Sequence, residues 1–203
     1  RAFGTSAAQA AENAADVRDL LRTRLSMTDA EVDKVERRQP AGARATVEPK
    51  LTWLQTRFDL DAAQVKKVVL TFPSLLLKSV ESMESNCDWL QTRLDLDAAQ
   101  LRKMVLRFPP LLYLSVEDNM EPKLQFLARE IGLSHAELRE WVVKNPSILG
   151  RSLVNRYRPR LEACREAGVD ARRVLSYATR TDEAFCKYTG IKPEALAAAA
   201  DMY

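Results

Sequence analysis

Apolar positions along this chain recur three and four residues apart. Val65, Val68, Val69 and Phe72 fall on one helical face, and Leu101, Met104, Val105 and Phe108 repeat the spacing. Leu138, Trp141 and Val142 follow the same rule. Each run ends at the residue before a proline, because the proline ring disfavours the α region for its predecessor. The segments that follow, "PSLLL", "PPLLYL" and "PSILG", are too short for a long helix. They predict one 3-10 or α turn plugging the core.

The prolines define a repeat. Pro40, Pro73, Pro109 and Pro146 align at spacings of 33, 36 and 37. Trp53, Trp89 and Phe126 form an aromatic column with the same offsets, and Val47, Val80, Val116 or Leu153 stands seven residues after each proline. A further unit begins near Val154, keeps "RPRLEACREAGVDARRVLSYA" and then loses its proline near Asp182. Each unit reads as two helices and a turn. The first helix opens with Pro49, Pro122 or Pro159, with Ser85 replacing the proline in one unit. One such unit buries too little apolar surface to offset the entropy of ordering its backbone, so neighbours must share faces. The expectation is an all-α superhelical solenoid of about four units. A single repeat domain is expected over residues 17–203, preceded by a tail or helix extension over 1–16.

Acidic pairs at Asp59/Asp61 and Asp95/Asp97 invite a metal or acid–base reading. The repeat supplies a different one. Asp61 and Asp97 share a column with Thr28, Ser134 and Asp170, the residue types favoured at a helix N-cap. Three positions later stand Glu31, Gln64, Gln100 and Glu137, which completes a capping box before each second helix. The last unit departs, with Arg173 there. Asp59 and Asp95 have Gly132 as their counterpart, so the pair as such does not repeat.

Composition narrows the function classes. The 203 residues include only six glycines and are 46% hydrophobic and 29% charged, as expected of a folded helical protein. The formal charge of +3 permits a nucleic-acid partner without demanding one. Cys87, Cys164 and Cys186 are odd in number and far apart, which fits a reducing compartment and excludes a disulfide framework. No apolar run reaches the ~20 residues of a membrane span. His135 has no neighbouring Cys or His to build a zinc site, and nucleotide-binding and nucleophile-elbow motifs are absent. The expectation is a protein without catalytic residues, metal or cofactor. The opening "RAFGTSAAQAAENAA" has the Arg, Ala and Ser flavour of the end of an organellar transit peptide.

The pattern "L-D-x-x-x-V-x-K-V-V-L-x-F-P-x-L-L", followed by a valine, "E-P-K-L-x-F-L" and "I-G-L-S-x-x-E-L", resembles the mTERF family, the mitochondrial transcription termination factors. Residues 47–153 carry the resemblance most strongly, with weaker copies at 17–46 and 154–180. Pentatricopeptide and tetratricopeptide repeats have similar periods but lack the proline followed by a Leu-rich turn. The resemblance implies a left-handed superhelix of helix–helix–short-helix units that binds nucleic acid along a basic concave groove. It also implies an organelle, the mitochondrion first and the plastid as the alternative.

Two surfaces are candidates for that binding. One is a stripe on the second helices, made of Lys34, Arg38, Lys67, Lys103, Arg107 and Lys144 and interrupted by Thr71 and Glu140. The other is the C-terminal unit, where Arg151, Arg156, Arg158, Arg160, Arg165, Arg172, Arg173 and Arg180 face only Glu162, Glu166 and Asp170. Arginine suits bidentate phosphate contacts and stacking on bases. The function expected is a non-catalytic, organellar nucleic-acid-binding factor in transcription or RNA metabolism, with RNA, rRNA included, or double-stranded DNA as partner. The alternative is a structural subunit of a large organellar assembly, foremost the mitochondrial ribosome, holding rRNA and neighbouring proteins. A protein-interaction scaffold in a non-ribosomal organellar complex is the third reading.

Overall fold

A computed structural model of the protein describes residues 17–38 and 47–203. The tail over 1–16 and Pro40 lie outside the described residues. Among the described residues every regular element is helical. First helices are α1 (residues 17–25), α3 (Val47–Phe58), α5 (Val80–Leu94), α7 (Glu121–Glu130) and α9 (Arg158–Glu166). Second helices are α2 (Asp29–Glu36), α4 (Ala62–Thr71), α6 (Ala98–Arg107), α8 (His135–Lys144) and a short α10 (Arg173–Ser176). Two further helices, α11 (Asp182–Thr189) and α12 (Pro193–Ala200), close the chain. The proline segments form 3-10 turns at Pro73–Leu77, Pro109–Leu112 and Pro146–Gly150. Each buries its proline and two aliphatic side chains, so the plug expected from sequence is what forms.

Capping fixes where the second helices start. Thr28, Asp61, Asp97 and Ser134 each accept from the backbone N–H three residues on, and Glu31, Gln64, Gln100 and Glu137 each return the bond. The residue two before each cap turns the corner with a left-handed backbone. Ser26, Asp59 and Asp95 have φ of 49°, 49° and 50°, and Gly132 takes 71°. The first aspartate of each pair is therefore a corner residue, a conformation that Asp tolerates and Gly prefers. Asp170 corrects the expectation for the last unit. Its carboxylate accepts from Arg172 N–H at 2.9 Å, and α10 begins at Arg173 without a side-chain cap. With Arg173 at the third position no box can close, and the helix is only four residues long.

First helices begin earlier than their prolines suggest. The Ser79 hydroxyl accepts from Ser82 N–H at 3.2 Å, and α5 runs unbroken from Val80 for 15 residues. Ser115 and Ser152 cap in the same way, but there the first five residues, Val116–Met120 and Leu153–Tyr157, form a wider π turn. The difference follows from the proline. Pro122 and Pro159 carry no N–H to close an α turn, so the segment before them loosens, whereas α5 has Ser85 and keeps its ladder.

The chain packs as two compact units, one ending at Tyr113 and lacking residues 93–95, the other made of Arg93–Asp95 and Leu114–Tyr203. Within each, polar side chains hold successive repeats in register. In the first unit Lys66 Nζ donates to the Ser26 carbonyl at 2.9 Å and pairs with Glu31 at 2.7 Å. Arg102 donates to the carbonyls of Phe58 and Asp59 at 2.7 and 3.3 Å. In the second unit Arg139 reaches the Asp95 carboxylate at 3.4 Å. Each of these cations seals the left-handed corner of the repeat before it. Ion pairs Arg24–Glu48, Arg57–Glu84 and Arg93–Glu121, at 3.4, 2.7 and 2.8 Å, tie the end of one first helix to the start of the next.

Candidate nucleic-acid interface

The buried polar residues Lys50, Asn86, Lys123 and Arg160 occupy one column of the repeat, at spacings of 36, 37 and 37. Lys50 donates to the Leu76 carbonyl at 2.6 Å, Asn86 to Leu111 at 3.2 Å and Lys123 to Leu149 at 2.6 Å. Each carbonyl belongs to a proline turn, which has no ladder to satisfy it. Burial pushes the Lys50 ammonium down and takes Lys123 to about 8. This column was not anticipated from sequence. Its signal was the recurring Pro-Lys, Pro-Lys and Pro-Arg at 49–50, 122–123 and 159–160.

Arg160 is the member that corrects the expected binding site. It is 1% exposed. Its guanidinium donates to the carbonyls of Tyr177 and Arg180 at 2.6 and 2.9 Å, pairs with Asp182 at 2.6 Å and lies 4.6 Å from the Phe185 ring centroid. Burial works against its charge and Asp182 works for it. Closed off from solvent and bonded on all three nitrogens, it is a core residue that no phosphate reaches. Its neighbours are partly committed too. Arg156 donates to the Arg180 carbonyl at 2.7 Å, Arg165 pairs with Glu130 at 2.8 Å and Arg172 with Glu137 at 2.9 Å. Arg158 is exposed and rests against the rings of Phe126 and Tyr203, at 5.8 and 5.5 Å. Arg151, Arg173 and Arg180 enter no ion pair among the described residues. Four of the eight arginines, Arg156, Arg160, Arg165 and Arg172, are thus engaged in holding the helices together.

The second-helix stripe fares differently. Lys34, Arg38, Lys67, Lys103, Arg107 and Lys144 are all exposed. Lys34, Lys67 and Lys103 each sit six residues after a cap, and none of the three enters an ion pair among the described residues. α4 and α6 hold Lys66, Lys67, Arg102, Lys103 and Arg107 and no acidic residue. On α2 the acids are paired with cations of other helices. Asp33 pairs with Arg18 at 2.8 Å, Glu36 also pairs with Arg18, Asp29 pairs with Arg22 at 2.5 Å and Glu31 with Lys66. In the first unit Lys34, Lys67 and Lys103 are thus exposed ammonium groups on equivalent helix positions, none of them in an ion pair among the described residues. In the second unit Glu140 takes the place of the lysine, and Lys144 is the stripe residue predicted there.

Nucleophile and metal chemistry find no comparable support. Cys87, Cys164 and Cys186 are buried, and burial raises the first two thiols to about 12 and about 11, opposite to the shift that activates a thiolate. Among the described residues no three His, Cys, Asp or Glu side chains gather where they could hold a metal ion, and no helix is long and apolar enough to cross a membrane. His135 is exposed at the start of α8, its Nε2 3.0 Å from the Arg93 carbonyl.

No curated protein matches the chain. The family model for mTERF matches residues 19–185, which takes in the helical repeats, their proline turns and all of the candidate cations named above. The chain belongs to the mTERF family.

Proposed function

We propose that this protein is a non-catalytic nucleic-acid-binding factor of organelle gene expression, acting on RNA or on organellar DNA. The mitochondrion is the proposed compartment, with the plastid as the alternative. The observation that carries the reading is the stripe Lys34, Lys67 and Lys103. These ammonium groups occupy the same position on successive second helices; the acids of α2 pair with Arg18, Arg22 and Lys66, and α4 and α6 carry none. Exposed lysines on a repeating spacing suit the repeating phosphates of a backbone, and they impose little sequence preference by themselves. Binding of this kind is driven by counterion release. Affinity for structured RNA should fall with log salt at about −0.7 to −0.9 per phosphate contacted. Absence of measurable binding to RNA and to duplex DNA at low salt overturns the reading.

A further inference from the structure

In the second unit Tyr177 and Tyr188 stack face to face, ring centroids 5.3 Å apart and planes 4° from parallel. Tyr188 is 58% exposed, so the pair presents an aromatic face to solvent and does not fill a core. The backbone beneath it is fixed. Arg160 holds the Tyr177 and Arg180 carbonyls and packs on Phe185, which lies three residues before Tyr188 on α11. Both rings are therefore hung from one buried guanidinium. This gives the core arginine a consequence at the surface.

Three cationic residues flank the stack along the chain. The Tyr177 N–H donates to the Arg173 carbonyl at 3.1 Å, the Arg180 N–H donates to the Tyr177 carbonyl at 3.0 Å, and Lys187 Nζ lies 6.0 Å from the Tyr188 centroid. Arg173, Arg180 and Lys187 are exposed, and none enters an ion pair among the described residues. Two acids stand between Arg180 and Lys187 in sequence: Asp182 is bound to Arg160, and Glu183 is exposed. A flat, held π surface with exposed Arg173 and Arg180 near it in the chain and Lys187 against its outer ring matches a flat ring attached to phosphates. Bases within a duplex already stack on each other, so the ring must come from an unpaired nucleotide. We infer that the Tyr177–Tyr188 pair is a stacking platform for an unpaired nucleobase, with Arg173, Arg180 and Lys187 placed to meet the flanking phosphates. The inference rests on the nucleic-acid reading proposed above and adds to it a single-strand preference located in the last unit.

The test measures binding of the full chain to a short single-stranded RNA, the same sequence as single-stranded DNA, and the corresponding duplex, each carrying 2-aminopurine. Tyr188→Ala is expected to weaken single-strand binding about five- to 150-fold, while Tyr188→Phe, which keeps the ring, stays within about twofold of wild type. Quenching of 2-aminopurine on binding should be present with wild type and Tyr188→Phe and lost with Tyr188→Ala. Duplex affinity should be unchanged by either substitution. The tighter of the two single strands in wild type identifies the natural ligand as RNA or DNA. If wild type binds single strands and Tyr188→Ala binds them equally well, the platform is overturned while the lysine stripe stands. If wild type binds no nucleic acid at all, the functional reading falls first, and the platform with it.

Discussion

Lys123 Nζ donates to the Leu149 carbonyl and to Asn119 Oδ1, both at 2.6 Å, from a site 4% exposed. The ammonium is closed off from water where the first helix of one repeat meets a proline turn. Burial takes its pKa down to about 8, below the 10.5 of a free lysine. Between these values the unfolded chain holds more protons than the folded one, so folding stability contributed at this site rises with pH from about 8 to about 10.5. The difference in urea stability between wild type and Lys123→Met should therefore move in favour of wild type across that window. A difference that stays flat with pH would mean that the lysine titrates normally.

Arg160→Met removes the donor for two backbone carbonyls and leaves Asp182 without its closest partner. The expected cost is about 2–3 kcal/mol in denaturant unfolding, and Arg160→Lys should recover little of it because a single ammonium cannot reproduce the fork. Arg158→Ser and Arg173→Ser, at exposed positions, should stay within about 0.5 kcal/mol of wild type. Equal stabilities for Arg160→Met and Arg173→Ser would return Arg160 to the surface.

The two aspartates of each pair do different jobs, and substitution should separate them by sign. Asp61→Ala removes a capping box and should destabilise by about 1 kcal/mol. Asp59→Gly relieves a left-handed backbone at φ 49° and keeps the carbonyl that Arg102 binds. It should be neutral or stabilising by up to about 1 kcal/mol. A shared acidic site would make both changes act in the same direction on a common activity or metal affinity.

Lys67→Ser and Lys103→Ser each remove one ammonium from the stripe without disturbing a described contact. Each should lower the slope of log affinity against log salt by about 0.7–0.9 and leave thermal stability unchanged. The neighbouring changes Lys66→Ser and Arg102→Ser, which break bonds between repeats, should instead lower stability. Unfolding curves and salt titrations run on the same four variants decide whether adjacent cations divide between fold and function as their contacts say.

Most of the fold was legible because it is written in local rules repeated several times. Caps, apolar spacing and helix-ending prolines act over a few residues, so Asp61, Val65–Phe72 and Pro73 declare one repeat without reference to anything distant. Repetition then supplied the columns. Helix starts were less legible at Val116 and Leu153, where a missing proline N–H converts the opening turn to π geometry.

What the sequence alone determined is the all-helical repeat, its register, its family and the structural meaning of its acidic pairs. Only the tertiary structure decided which cations are free. Lys66 and Lys67 are adjacent and chemically identical, yet one is spent on the Ser26 carbonyl and Glu31 while the other faces solvent. Arg160 and Arg158 differ in the same way, one in the core and one exposed. Net charge and clustering count such residues alike. Their availability depends on carbonyls and carboxylates that lie 17 to 44 residues away in the chain and are brought close only when the repeats pack.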